Sequence, residues 1–151
     1  MAQRRRESGA GIEITNIVID VLVSDHTPVE GDAKDLPFAQ AEPGATALEM
    51  LLSASLKWAE QSGVSLMRAL QVVTSAPAAL LGTAGQSLGR LEVGAPADIC
   101  IYKATEQWQV EPGVLHSQSK HTPFAFDMNA SLMPGKVQAT LVAGRVAFEL
   151  N

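Results

Sequence analysis

The stretch ITNIVIDVLVSDHTP, residues 14–28, decides how the rest of the chain is interpreted. Its first part is mainly β-branched with few polar breaks, which favours a strand buried on both faces, as in a parallel sheet. Pro28 ends the strand because proline lacks the amide hydrogen that strand pairing needs. Asp25 thus stands at the end of a buried strand, where parallel α/β folds build their sites. A second interpretation is that Asp25 only caps or turns the chain.

The segments on either side of this stretch are polar. Residues 1–13 include three consecutive arginines and few apolar side chains, which predicts a flexible arm. Residues 30–45 predict a loop longer than most connections in a compact domain, and such loops are usually functional or disordered. Gly44 could let the backbone approach a ligand closely, although a turn before a helix would also explain it.

Helical spacing begins after this loop. Thr46 and Glu49 match a capping box, in which the two side chains bond to exposed backbone amides at the start of a helix. Gly63 ends that helix, and Ser65 caps a second one. A short third helix is predicted over residues 75–81.

From Gly85 onward the apolar period changes to two. Residues 88–93 and 99–102 alternate and predict extended chain on both sides of a turn. Residues 137–150 predict a β-hairpin in which Gly144 supplies the positive φ of the turn. The pattern therefore predicts one buried strand, three helices and then a small antiparallel sheet.

Composition excludes several classes of protein. The chain has 151 residues, of which 46% are hydrophobic and 18% charged, which is typical of a globular domain. A net charge of −5 argues against a nucleic-acid binder, because phosphate affinity depends on clustered cations. A single cysteine excludes an internal disulfide, and no apolar run is long enough to predict a membrane span. We therefore expect a cytoplasmic protein.

Few residues suggest chemistry by pattern alone. The sequence has no glycine-rich nucleotide motif and no HxH or HExxH pair. His116 and His121 are five residues apart, which suits neither helix nor strand ligation, so we interpret them as loop histidines. Residues 24–26 contain the letters of a catalytic triad, but neighbours in an extended chain point to opposite faces and cannot converge. Cys100 is predicted to pack in the core.

Taken together, the motifs resemble dihydroorotase, a cyclic amidohydrolase. Around the aspartate they are SDHTP at 24–28, DAK at 32–34, LPF at 36–38 and EPGATALE at 42–49. Further along they are LGRLEVGAPADI at 88–99, TPF at 122–124, GKV at 135–137 and VAGRV at 142–146. Each motif is weak alone, and their combination in this order carries the resemblance.

The resemblance implies an α/β fold. Residues 14–84 would be the C-terminal part of a (β/α)8 barrel, with its last strand and helices, and residues 85–151 a small antiparallel β domain. Active members bind zinc and close carbamoyl aspartate to dihydroorotate in pyrimidine synthesis. Asp25 would then occupy the position of the carboxylate that reaches the metal and shuttles the proton. Pro43 and Gly44 would fall in the loop whose backbone contacts substrate.

One departure from the resemblance is Val29. Active members usually carry there the histidine that holds the substrate carboxylate. The other metal ligands lie upstream in the family, so no intact metal site and no cofactor are predicted for this chain.

The chain is similar to inactive dihydroorotase-like chains that pair with aspartate carbamoyltransferase, and we expect it to be inactive alone. An open barrel edge would also favour a homo-oligomer. The alternatives are part of an active zinc dihydroorotase, or an unrelated α+β binding module.

Overall fold

The computed structural model describes residues 19–125 and 132–150, and the α-helices precede the strands within them. The α-helices are α1 at Gly31–Lys34, α2 at Leu51–Ser62, α3 at Leu66–Gln71 and α4 at Ser75–Leu80. Short 3₁₀ helices lie at Leu48–Met50, Gly82–Gly85, Pro112–Val114 and Pro123–Ala125. The strands are β1 at Ile99–Gln109, β2 at Leu132–Val142 and β3 at Arg145–Glu149.

The boundaries of the two main helices follow the predicted signals. Gly63 ends α2 in the left-handed conformation at φ 66°, and its amide donates to the carbonyl of Ala59. The hydroxyl oxygen of Ser65 accepts a hydrogen bond from the amide of Arg68 at 3.2 Å, which caps α3. The predicted third helix is confirmed as α4.

The three strands form one antiparallel sheet in the order β1–β2–β3, which confirms the predicted small sheet. Ala143 and Gly144 both have positive φ, 48° and 78°, as a two-residue hairpin turn requires. The amide of Ala143 donates to the Asp98 carboxylate at 2.7 Å, and that of Gly144 donates to the carbonyl of Ala97 at 3.0 Å. The segment before β1 therefore fixes the turn between β2 and β3.

The main core lies where α2 meets the sheet. Its buried members are Met50, Val110, Leu115 and Met133. Trp108 packs against this cluster, and its indole N–H donates to the Ser53 hydroxyl at 3.0 Å. Trp108 is thus a packing residue.

The strand predicted at residues 14–23 is not formed in its described part, and residues 14–18 lie outside the described residues. Residues 19–23 form no strand. The amide of Leu22 donates instead to the carbonyl of Val72, just after α3, at 2.9 Å. The reason is physical: a buried parallel strand needs neighbouring strands for its amides and carbonyls. The described part of the chain supplies none.

Two other predictions, one of extended chain and one of a core residue, are also wrong. Residues 88–93 form no strand, and Leu91 and Val93 are 81% and 104% exposed. Gly89 interrupts the extended run, because at φ 66° it packs against the backbone of Thr74. Cys100 is exposed, and not in the core, because neither face of β1 is covered by the described residues at this position: the adjacent Ile101 is exposed as well.

The domain limits remain a prediction. The flexible arm placed at residues 1–13 lies outside the described residues, and the limit between 84 and 85 falls between α4 and β1. No helix among the described residues is both long enough and apolar enough to cross a bilayer.

Candidate functional site

Asp25 lies on a strained turn at the surface. Its φ is 44°, a conformation that non-glycine residues seldom adopt, and its side chain is exposed. The hydroxyl of Thr27 donates to the carbonyl of Asp25 at 3.3 Å. Strained residues cluster at functional sites, but Asp also adopts this conformation in ordinary turns, so φ alone does not decide between the two interpretations of Asp25.

Gly44 brings the predicted substrate loop against this turn. Its φ is 124°, and a Cβ placed on it would lie 2.5 Å from the carbonyl oxygen of Thr27. The amide of Thr27 donates to the carbonyl of Ala45 at 3.2 Å. The structure therefore places Gly44 beside the Asp25 turn, with Pro43 exposed next to it, and glycine is required there for contact between two backbone segments. Contact with a substrate remains a prediction.

His26, which no sequence motif marked as a cap, caps the helix that follows this loop. Its Nδ1 accepts hydrogen bonds from the amides of Ala47 and Leu48, both at 3.1 Å. Nδ1 must therefore be unprotonated, with the ring hydrogen on Nε2. The residue is 21 positions from Ala47 in sequence, so no local capping pattern could have identified it.

The capping box predicted for Thr46 and Glu49 is wrong, because both side chains bond to residues 115–122 instead. The Thr46 hydroxyl donates to the carbonyl of Ser119 at 2.7 Å, and the Thr46 amide donates to that of His121, also at 2.7 Å. Thr46 is fully buried by these contacts. Ser119 also donates its hydroxyl to the carbonyl of Val29. The loop at residues 115–122 therefore contacts Val29, just after the Asp25 turn, and Thr46, just after the substrate loop.

Glu49 holds the beginning of the same loop. Its carboxylate accepts from the amides of His116, at 2.9 and 3.0 Å, and of Ser117, at 2.8 Å, and lies 3.1 Å from the His116 Nδ1. Burial raises the pKa of Glu49, but the two backbone amides and the His116 ring outweigh it, so the pKa lies below its ordinary value. His116 lies in an exposed loop, as predicted, and its ring is paired with the Glu49 carboxylate.

A cavity of about 680 Å³ opens beside Glu49 and His116, between α2 and the sheet. Trp108 and Phe148 contribute aromatic walls, and the ring of Phe148 meets His116 edge-on at 5.5 Å. Neither Asp25 nor the predicted substrate loop lines it. This cavity is therefore separate from the predicted site.

The described residues do not by themselves fit a catalytic zinc ion. Such an ion normally takes three protein ligands. Among residues 19–125 and 132–150, no group of three or more His, Cys, Asp and Glu side chains could hold a metal. Asp25 is beside one histidine, His26, whose Nδ1 is already occupied by backbone amides.

Comparison with known proteins agrees with the motifs. A model of the amidohydrolase family matches residues 34–148. The chain is 36% identical over 131 residues to a dihydroorotase of Citrifermentans bemidjiense, a match covering 87% of this chain and 29% of that protein. It is 35% identical over 133 residues to a dihydroorotase of Syntrophotalea carbinolica, covering 88% of this chain and 30% of that protein.

Solved structures show the same fold in a longer chain. A D-hydantoinase (dihydropyrimidinase) from Thermus sp. superposes with a TM-score of 0.74 at 21% identity, over 86% of this chain and 28% of that one. The chain thus spans about 29% of the curated relative matched above. Because the family model covers most of the sequence, the chain belongs to the amidohydrolase family.

Proposed function

We propose that this chain is a dihydroorotase-like protein of pyrimidine biosynthesis that does not hydrolyse cyclic amides by itself and that holds or stabilises aspartate carbamoyltransferase. Two features support the likeness to dihydroorotase: the motifs around Asp25 and the 35–36% identity to proteins named dihydroorotase. The scaffold role and a cytoplasmic location rest on the resemblance of the sequence to non-catalytic dihydroorotase-like chains.

The observation that carries the non-catalytic proposal is Val29. Its side chain is 6% exposed, and its carbonyl accepts from the Ser119 hydroxyl, so residue 29 is packed against the loop. Valine can neither carry charge nor donate a hydrogen bond. By the resemblance, this position in active dihydroorotases holds the histidine that binds the substrate carboxylate. A carboxylate placed here would lose that partner, which weakens binding by the strength of a charged hydrogen bond, about 1.5–3 kcal/mol.

Zinc is the cofactor that the resemblance implies for active members, where it would supply a hydroxide near neutral pH. Asp25 is the one residue here that the resemblance places at the metal. Since the described residues do not fit a complete site, we derive no catalytic step through the ion.

A second candidate is that the chain is part of an active zinc dihydroorotase whose remaining ligands come from another polypeptide. The exposed carboxylate of Asp25, at the position that the resemblance assigns to the metal, supports it, whereas its φ of 44° fits a tight turn equally well. In this candidate Asp25 receives its metal only in the assembled protein.

The experiment measures dihydroorotate hydrolysis and partner capture with the purified chain in zinc-containing buffer. We expect no turnover above buffer, and co-elution with aspartate carbamoyltransferase from the same organism in size-exclusion chromatography. Asp25→Ala would leave both results unchanged. Asp32→Ala, which removes a neighbouring exposed carboxylate, is the matched control.

The two outcomes separate the candidates. Turnover that Asp25→Ala abolishes and Asp32→Ala does not would overturn the non-catalytic proposal in favour of the enzyme. Absence of co-elution at micromolar concentrations of both proteins would overturn the scaffold role.

A further inference from the structure

The sheet presents an apolar face that the described residues leave uncovered. Ile99 is paired with Leu141 and Ile101 with Ala139 across β1 and β2. Leu141 is in turn paired with Val146 of β3. Residues directly opposite each other, and alternate residues along one strand, lie on the same face of a sheet. These five side chains, which we call the outer face, therefore form one continuous apolar surface across all three strands.

None of the five residues is buried. Ile101 is 51% exposed and Val146 is 61% exposed, while the other three are partly exposed. Glu149, which is paired with Ala139, adds one carboxylate at the edge of the face. Soluble monomers rarely expose contiguous apolar patches of this kind, and an antiparallel sheet normally packs its apolar face and solvates the polar one. The outer face therefore has the character of an interior surface.

The covered part of the sheet lies elsewhere. α2 packs on β2 around Gly135, where Leu56 would meet any added Cβ. Met133, near the same end of β2, is fully buried in the core. The outer face begins at Ala139, beyond this contact. One end of the sheet is thus closed by the chain's own helix, and the other end is open.

The comparisons indicate what covers the open end. The D-hydantoinase structure superposes with 86% of this chain but extends well beyond it, since the match takes in only 28% of that protein. The matched part of the C. bemidjiense dihydroorotase is likewise 29% of its length. In such proteins the same elements are embedded in a much larger fold, and an apolar sheet face is normally packed against another layer.

We propose that the outer face is the docking surface for the part of an amidohydrolase fold that this chain does not contain, supplied by other amidohydrolase sequence. This inference rests on the family membership and on the incomplete site described under the proposed function, and it does not require catalysis. The partner surface is apolar and uncharged where it meets Ile101 and Val146. A charge introduced on either residue would be buried without a counter-charge, which strongly opposes association.

The test uses the unmatched part of the C. bemidjiense dihydroorotase, expressed with an affinity tag, as the probe. The matched segment of that enzyme, expressed separately, is the positive control for a competent probe. We expect the chain to be captured with one-to-one stoichiometry by light scattering, and Val146→Glu to weaken capture by at least about tenfold. Val142→Glu is the matched control, because residue 142 is 55% exposed and follows Leu141 on the opposite face, so it should change capture less than about twofold.

Folding and binding are separated by the circular dichroism melting curve of each variant alone. Since Val146 is exposed in the chain, Val146→Glu should melt within a few degrees of the parent. Capture of the enzyme's own segment but not of this chain would overturn the proposal, as would unchanged capture of Val146→Glu. A chain that dimerises alone and becomes monomeric on Val146→Glu would overturn it too, in favour of a second copy as the occupant. Dihydroorotate turnover would contradict only the non-catalytic function.

Discussion

The junction between α2 and the loop at residues 110–125 differs sharply from the outer face of the sheet. At the junction, side chains from distant parts of the chain are almost fully buried, as Met50, Val110 and Met133 are at 0–1% exposure. On the outer face, Ile101 and Val146 are apolar but more than half exposed. Both regions have apolar side chains, so composition does not explain the difference.

The difference shows which surfaces the described residues pack against one another and which they leave exposed. At the junction, polar side chains also find partners far away in sequence, as Glu49 does with His116 and Thr46 with Ser119. The same loop bonds to the carbonyl of Val29, so the Asp25 turn is fixed by the chain itself. The outer face and the ligand set around Asp25 both lack partners among the described residues. We conclude that the described residues build the scaffold around Asp25, and that a complete set of metal ligands is not among them.

The largest predicted effect is on stability, and it compares a buried residue of the junction with an exposed residue of the outer face. Met133→Ala should lower the free energy of unfolding by about 2–5 kcal/mol, because it removes a fully buried side chain and leaves a cavity. Val146→Ala, on the outer face, should change it by less than about 0.5 kcal/mol. Urea denaturation followed by circular dichroism measures both. Equal losses for the two variants would mean that the outer face is already packed.

The next effect concerns the Glu49 carboxylate. Glu49→Gln should lower the free energy of unfolding by about 1.5–3 kcal/mol, because hydrogen bonds from two backbone amides lose a charged acceptor. Glu60→Gln, on an exposed position of α2, is the matched control and should have little effect.

The pH dependence of the stability difference between the parent and Glu49→Gln tests the same carboxylate. The pKa of Glu49 is lowered in the folded chain, so its contribution is fully present above the unfolded value of about 4.3 and is lost as pH falls through the folded pKa. The stability difference between parent and Glu49→Gln should therefore be constant from about pH 5 upward and shrink below about pH 4.3. A difference that grows on acidification would contradict the assignment.

A smaller effect tests the contact between the two backbone segments of the site. Gly44→Ala should lower the free energy of unfolding by about 1–3 kcal/mol, because its φ is 124° and the new methyl would collide with the Thr27 carbonyl. Gly113→Ala, where nothing lies within 4 Å of the added methyl, is the control and should be close to neutral. If both glycines tolerate alanine equally, the substrate loop does not pack on the Asp25 turn as described.

The smallest effect concerns the helix cap. His26→Ala should lower the free energy of unfolding by about 0.5–2 kcal/mol, since the amides of Ala47 and Leu48 lose their acceptor. His26→Asn keeps a side-chain acceptor and should restore part of the loss. Thermal melting followed by circular dichroism distinguishes the two. A His26→Asn variant no more stable than His26→Ala would argue against capping.

Local signals predicted local structure well. Gly63 and Ser65 marked helix boundaries, and Gly144 marked the hairpin turn, because each acts on backbone within a few residues of itself. The strand predicted at residues 14–23 failed over residues 19–23, since a parallel strand depends on neighbours that periodicity cannot supply.

The candidate site was predictable only in part. The motif order identified Asp25 and Gly44, and the structure places the two segments together. The roles of His26 and Glu49 could not be foreseen, because their hydrogen bonds join residues 21 and 67 positions apart. A capping box fits Thr46 and Glu49 equally well in the sequence, and the tertiary contacts of both side chains replaced it.

The most direct test of an intact scaffold with an incomplete site is the zinc content of the purified chain. The chain is saturated with zinc, dialysed against metal-free buffer and measured by mass spectrometry of the metal. We predict far less than one zinc per chain, with Asp25→Ala indistinguishable from the parent. One zinc per chain that survives dialysis and is lost in Asp25→Ala, but not in Asp32→Ala, would contradict the account.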